Sequence, residues 1–387
     1  MNPIKALLRK SPVKKENPAR DGGHDSYEVA SQYQLMWWKF KKHRIALIAA
    51  PLLIFMYLVA VFCEFFAPSL INVRYIDYKN APPTKIHFTD KDGRLTAPYI
   101  YNVKMAVNKA TFKREYTEDT SKAYPIKWFI SADAYKKWGF LKSDIHLFGI
   151  ERGPKDDFNV FIMGTDQYGR DLFSQILYGS QISLSFGFVS IIFTFVIGLL
   201  LGGISGYVGG VVDTVIQRAI DLISCIPTIP LWMSLAAALP RNWSAVNTYL
   251  GMVLIMSLIG WTGLARVVRG KILSVREEDF VLAARLNGGG DLYIINKHLI
   301  PSFTSYIIAD VTRSIPVSIL GETALSFLGL GLQAPVVSWG VLLQDSQNLE
   351  TLALHPWLLW PAAFLIVTVL LFNFLGDGLR DAADPYK

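Results

Sequence analysis

The sequence predicts an all-α polytopic membrane protein of about six transmembrane helices, carrying a small α+β insertion on its outer side. Three observations predict this class. Long uncharged apolar runs recur along the chain, basic residues gather between alternate runs, and one stretch after the first run turns to the composition of a soluble domain. Of the 387 residues, 52% are hydrophobic and 18% are charged, against about 25% charged in ordinary soluble domains. Mean hydropathy is +0.32.

A bilayer core takes about 20 apolar residues per spanning helix. The stretch between Arg44 and Glu64 supplies 19 residues without formal charge, Gln181 to Gly210 supplies 30, and Leu222 to Pro240 supplies 19. Asn242 to Ala265 supplies 24 more, and Thr351 to Gly376 supplies 26. A sixth span is expected over Ser302 to Leu325, although Asp310, Arg313 and Glu322 interrupt it. Counting it makes the number of spans even, so both termini lie on one side. Pro227 and Pro230 are expected to kink the third span, since each removes a backbone donor. Gly198, Gly202, Gly203, Gly206, Gly209 and Gly210 give the second span and its end a small-residue face, which suits close helix packing better than a flexible gate.

Lys and Arg mark the cytoplasmic side. Lys5, Arg9, Lys39, Lys41, Lys42 and Arg44 precede the first span, and Arg218 lies in the next inner loop. Arg266, Arg269, Lys271, Arg276, Arg285 and Lys297 follow the fourth span, and Arg380 and Lys387 close the chain. Arg241 is the exception among the short outer loops. The net charge of +7 is therefore a matter of topology: membrane lipid is an expected partner and nucleic acid is not. No cleavable signal is expected, because the first apolar run begins after residue 44 and exceeds an h-region of about 7–15 residues. Residues 1–44 read as a cytoplasmic N-terminal tail, too polar over its first part to pack, and 45–66 as the first transmembrane helix. Cys63 and Cys225 read as membrane-buried thiols, with no disulfide or metal spacing.

Residues 67–162 read as the extracytoplasmic insertion. Thr89-Asp90-Lys91-Asp92-Gly93-Arg94 is a turn signal, and Tyr99 to Val103 and Ile126 to Ile130 are strand-like. Its many basic residues do not contradict the orientation, because long loops translocate largely regardless of charge. Two roles stay open for it: contact with a substrate-delivery protein, or packing on the membrane core.

Residues 163–387 read as a five-helix core containing a cytoplasmic loop over 272–301. No phosphate-cradling GxxxxGK[ST], no HExxH and no GxSxG motif occurs, so no catalytic residue or metal site is assigned. Any ATP hydrolysis belongs to another chain. The most informative stretch is Glu277 to Pro301, which is amphipathic and broken by Gly288-Gly289-Gly290. Phe280, Val281, Ala284 and Leu286 fall near one face of a short helix that the glycines end, and a second helix is expected to stop at Pro301. A short helix held between two spans is a lever for a soluble partner.

Here the sequence resembles a known family. Ala283-Ala284, then Gly288, then nine residues before His298-Leu299-Ile300-Pro301, is similar to the "EAA" signature of ABC importer permeases, with Leu282 in place of the usual glutamate. Met163 to Asp171 with Tyr178-Gly179-Ser180-Gln181-Ile182-Ser183-Leu184 resembles the GTDxxGRD…YGxxxSL block of oligopeptide, dipeptide and nickel importers, in particular of their second permease. Gly206-Tyr207-Val208-Gly209-Gly210, Leu325 to Gly331, Ser338-Trp339-Gly340, Pro356-Trp357 and Asn373 to Asp381 with Asp384-Pro385 continue the likeness.

The resemblance implies a type I ABC importer permease fold in the bacterial inner membrane and transport of short peptides, with oligosaccharides or nickel chelates as alternative cargo. It further implies a heterodimer with a homologous permease, two ATP-binding subunits that carry ATP and Mg, and an extracytoplasmic substrate-binding protein. An ATP-independent secondary transporter is the rival class. The residues implied in coupling to the ATPase are Asp279, Ala283, Ala284, Arg285, Gly288, His298 and Pro301, with a positioning role for His298. Gly164, Thr165, Asp166, Gly169, Arg170 and Asp171 either gate the outer mouth or cap the second span. Asp310 and Arg313, three apart within a span, either line the pathway or neutralise each other as an ion pair. Asp213, Arg218 and Asp221 either touch the ATPase subunits or pair internally.

Overall fold

The computed structural model describes residues 32–383, except 91–92, 108, 110–113, 138–139, 152–157 and 241. The first part of the expected tail, Arg241, and the Asp384-Pro385 and Lys387 ending lie outside the described residues. Helix α1 (Gln32–Lys42) is followed at once by α2 (Arg44–Val61), whose first turn is capped by His43, its Nδ1 accepting the Ala46 N–H at 3.2 Å. A single turn, α3 (Cys63–Phe66), closes this arm.

After the sheet described below come α4 (Leu172–Val208), α5 (Gly210–Ser224), α6 (Thr228–Ala237) and α7 (Ala245–Val275). Then follow α8 (Asp279–Leu286), α9 (Asp291–Ile294), α10 (Ile300–Phe327), α11 (Trp339–Leu343), α12 (Leu349–Leu354) and α13 (Trp360–Ala383). By length and composition, α2, α4, α7 and Pro356–Ala383 can each cross a membrane, and α5 with α6 makes a fifth candidate, bent by 84°. The third span expected over 222–240, with a kink at its prolines, is broken sharply between α5 and α6. Pro227 sits at its corner as the N-cap of α6, where its missing N–H interrupts no helical bond. Cys225 is exposed at that corner, whereas Cys63 is buried. Helix α10, at 28 residues, is about 42 Å long at about 1.5 Å per residue, but its charged residues keep it out of the apolar set. It packs against both α4 and α13.

The α4–α7 contact is the most extensive between helices, and glycine makes it possible. A Cβ on Gly202 would stand 2.5 Å from the Ala265 carbonyl oxygen, and one on Gly206 would stand 2.9 Å from that of Arg269. These glycines therefore serve packing. Gly209 and Gly210, with φ of 69° and 57°, end α4 and turn the chain into α5.

Between α3 and α4 the chain forms an antiparallel sheet in the order β1 (His87–Thr89), β2 (Leu95–Val107), β3 (Arg114–Lys137), β4 (Leu141–Ile150). The predicted turn lies at Asp90–Gly93, where the Asp90 N–H reaches the Arg94 carbonyl at 2.9 Å. Strand β3 is shared: it pairs with β2 up to Pro125 and with β4 from Ile126 onward. Tyr75, Tyr78, Ile100, Tyr124, Phe158 and Phe161 form its core. The α+β expectation is corrected here. Among the described residues from 67 to 162 the helical structure is one 3-10 turn, Ile76–Tyr78, and aromatic and β-branched residues along two long strands make the rest sheet.

Gly202→Val is expected to lower the apparent melting temperature of the purified protein by several degrees or block its assembly, since overpacking costs at least about 1–3 kcal/mol. Gly263→Ala, with nothing within 4 Å of its new Cβ, should leave it unchanged. Thermal unfolding followed by size-exclusion chromatography reads both.

Candidate functional site

Three polar constructions stand out against the apolar bundle. The first is the α8–α9 corner. Helix α8 ends in a Schellman motif: Gly288, at φ 82°, donates to the Arg285 carbonyl at 3.0 Å, and Gly289 donates to the Ala284 carbonyl at 3.0 Å. Asn287 adds a side-chain bond to the Ala283 carbonyl at 2.9 Å. Val281 is the fully buried anchor of α8, and it packs with Ile294 and Leu299 against Tyr207, Val268, Ile272 and Phe303. Asp279, Phe280, Leu282, Ala283, Arg285 and Leu286 are exposed, Leu286 at 89%. Of the residues that spacing put near one face, Phe280 and Leu286 are thus exposed; with only eight residues before the glycine turn, the helix buries a single stripe through Val281.

The corner is tied to the end of α4 by polar contacts. The Tyr207 hydroxyl donates to Asp291 at 2.7 Å, and Arg285 donates to the same hydroxyl at 3.3 Å while stacking over the ring. The His298 ring packs edge-on to Tyr293 at 5.5 Å and near Phe280 at 6.4 Å, holding the far side of the corner. Pro301 does not end the second helix. A π-turn at Ile295–Leu299 widens the backbone ahead of it, Pro301 falls in the first turn of α10 where its missing donor is tolerated, and the break comes at Phe303 with φ −126°. Beside the corner, Asp213 binds Arg269 through two bonds of 2.5 and 2.6 Å, and Asp221 binds Arg266 at 2.9 Å and Arg218 at 3.4 Å. These carboxylates pair internally.

The second construction is the turn from Gly164 to Asp171, which exposes Gln167 and Tyr168 at its tip and buries its base. Thr165, Asp166 and Asp171 are all buried. Asp166 accepts the backbone N–H groups of Tyr168 and Arg170 at 2.8 and 2.9 Å and the Arg170 Nε at 2.6 Å. Gly164 and Gly169, both at positive φ, let the turn lie against Ala81 and Tyr75, and the Trp357 indole donates to the Thr165 carbonyl at 3.1 Å. Asp171 caps α4, accepting the Ser174 N–H at 2.9 Å. The turn thus joins the sheet segment, α4 and the start of the last helix.

The third construction was visible in the sequence only as an interruption. Glu322 on α10 is fully buried and receives hydroxyls from Ser338 at 2.7 Å, Ser326 at 2.8 Å and Ser183 at 3.3 Å. Ser338 also caps α11, and Ser183 accepts the Trp339 N–H at 3.1 Å. A lone glutamate inside an apolar run is the signal that marks such a hub, because buried charge in a membrane bundle needs partners. About three turns earlier on the same helix, Asp310 lines a cavity of about 260 Å³ with Thr194, Gly260, Gly263, Val267 and Ser314. Asp310 and Arg313 are not joined: Arg313 lies over Gly376 and reaches Asp377 of α13 at 3.9 Å.

A multi-helix membrane core, a solvent-facing corner helix hung between two long helices, and polar residues spent on joining helices define a membrane transport subunit. Residues 198–386 match the family described as binding-protein-dependent transport system inner membrane component, and residues 31–83 match the N-terminal TM domain of oligopeptide transport permease C. The dipeptide transport system permease protein DppC of Lactococcus lactis is 32% identical over 369 residues, 94% of each chain, an alignment that takes in the sheet segment. DppC of Bacillus subtilis is 38% identical over 57% of this chain and 68% of its own, and the oligopeptide permease OppC of the same organism is 34% identical over 63% and 76%. A chain of the MetNI methionine ABC transporter overlaps 55% of this chain and 98% of its own at 19% identity and a TM-score of 0.44, too loose a likeness to argue from. The chain belongs to the permease family of ABC peptide importers.

Burial pushes the Asp171 carboxyl up to about 7, with the nearby Asp166 pushing the same way and the Ser174 donors opposing. Its folded value thus lies above the unfolded value of about 3.9, so the folded chain holds the extra proton between those limits and stability falls as pH rises through that window. Asp345, raised by burial to about 6, adds to the slope. The melting temperature is expected to drop from pH 5 to pH 8, and Asp171→Asn should remove the larger part of the drop. An unchanged slope in that variant would assign the effect elsewhere.

Proposed function

We propose that the chain forms half of a pathway for short peptides across the bacterial inner membrane, with six spans and both termini in the cytoplasm. Its partners are a homologous permease, two ATP-hydrolysing subunits that hold ATP and Mg, and an extracytoplasmic binding protein. The observation that carries this reading is α8. It turns Phe280, Leu282, Ala283 and Leu286 to solvent, yet through Val281 and Arg285, with Asp291 of α9 beside it, it is fastened to the ends of α4, α7 and α10. An exposed apolar helix so fastened passes a push from a docked ATPase into three helices at once. The names of the relatives, dipeptide and oligopeptide permeases, support peptide as cargo.

Helix α10 serves as the sixth span, starting at the cytoplasmic corner and running outward to the Glu322 hub, where its charge is surrounded by hydroxyls. The sheet then lies outside, and the turn from Gly164 to Asp171 frames the outer mouth as a rigid joint. Asp310 is assigned to the pathway, since it faces a cavity between α4, α7 and α10 and can attract the ammonium end of a peptide. Arg313, engaged with Asp377, is assigned to holding α10 on α13.

Proteoliposomes containing both permeases and the ATPase subunits are expected to take up labelled peptide only with ATP. Leu286→Asp should cut that uptake about tenfold or more with assembly intact, as loss of an apolar contact worth about 1.5–3 kcal/mol would. Uptake that continued without any ATPase chain would contradict the proposal.

A further inference from the structure

The lower edge of the sheet reaches the ends of the apolar helices in an unusual way. Lys137, the last residue of β3, is nearly buried and donates to the Val61 carbonyl, the final residue of α2, as well as to Glu64 at 2.7 Å. Its ammonium also lies 4.7 Å from the centre of the Phe62 ring. His146 on β4 bonds the Ala67 carbonyl at 2.6 Å. The β3–β4 end is therefore fixed at the level where an apolar span of 18 residues finishes.

Aromatic rings continue this level sideways. Phe129 lies 6.2 Å from Phe65, just past α2, while Trp128 lies 6.3 Å from Phe148, which in turn lies 6.1 Å from Phe173 in the first turn of α4. Phe129 holds a φ of 55°, a conformation rare for a bulky residue, and stands exposed beside an equally exposed Trp128. At the β3–β4 end Phe140 and Leu141 are exposed too, Phe140 at 72%. Lys136 and Lys142, paired across the ladder, flank them, and neither is tied to a carboxylate among the described residues. Large apolar side chains are rarely left in water in such a group, and an aromatic cluster edged by lysines at a span end matches the chemistry of a phospholipid interface.

We propose that the β3–β4 end of the sheet is a membrane foot: Trp128, Phe129, Phe140 and Leu141 rest in the outer-leaflet interface, and Lys136 and Lys142 meet lipid phosphates. The foot pins the sheet to the bilayer beside α2 and so sets its tilt over the mouth. The inference rests on the outer placement of the sheet given above, and not on peptide as cargo.

The test uses the full chain in nanodiscs, with a nitroxide at Phe140→Cys or at the distal Leu95→Cys, in a Cys225→Ser background. Expected is a label at 140 that collides more with oxygen than with a polar nickel chelate, and the reverse at 95. Lys136→Glu with Lys142→Glu should raise nickel access at 140 several-fold in discs containing phosphatidylglycerol and change it little in pure phosphatidylcholine. Equal nickel access at 140 and 95 would overturn the proposal, as would a label at 140 that leaves water only when an extracytoplasmic binding protein is added. Inside-out accessibility of a label at 95 would contradict the outer placement of the sheet and leave a membrane-depth reading at 140 still decisive for the foot.

Discussion

The backbones of α4 and α7 touch at Gly202 and Gly206, with the Leu264 side chain over Gly198, and much of the architecture around the α8 corner follows from that contact. Lipid offers no hydrophobic reason for two apolar helices to meet, so close approach of small residues has to supply the attraction. The approach sets the end of α4 beside the end of α7, which puts Asp213 within two bonds of Arg269 and leaves Tyr207 over the corner. Tyr207 then holds Arg285 and Asp291, one on each side of the glycine turn. Widen the α4–α7 contact by one methyl group and each of these bonds must lengthen.

Polar groups inside the bundle obey a second constraint, that each must find a partner where water is scarce. The Glu322 carboxylate, received by Ser183, Ser326 and Ser338, joins α4, α10 and α11 at the end opposite the α8 corner. Asp166 does the same work for the turn before α4, organising Tyr168 and Arg170. Asp310 departs from the pattern by lining a cavity, its carboxyl without a hydrogen bond or salt bridge among the described residues. Polar joints therefore close both ends of the bundle, at the Gly164–Asp171 turn and at the α8 corner, with Asp310 between them.

The long apolar runs and the glycine-broken corner were legible because each rests on local rules of hydropathy and backbone freedom. The sheet was read as mixed α+β because its strands are long and irregular, with β3 changing partners at Pro125, which no short alternating window reveals. Whether Arg313 pairs with Asp310 stayed open because spacing along one helix says nothing of the neighbour: Gly376 opens the space through which Arg313 reaches Asp377. Glu322 read as an interruption because its partners lie as far as Ser183 and Ser338 in the chain. Leu286 was grouped with Phe280, Val281 and Ala284 by period alone, and period does not say which of them the neighbouring helices cover: Val281 is buried and Leu286 exposed.

The central claim is that α8 is where force from a separate ATPase enters this chain. A photo-crosslinking residue placed at Ala283 in the assembled importer tests it directly. The account predicts a crosslink to a nucleotide-binding chain whose yield changes when ATP is added. An intact complex in which position 283 crosslinks only to lipid or to the partner permease would contradict it.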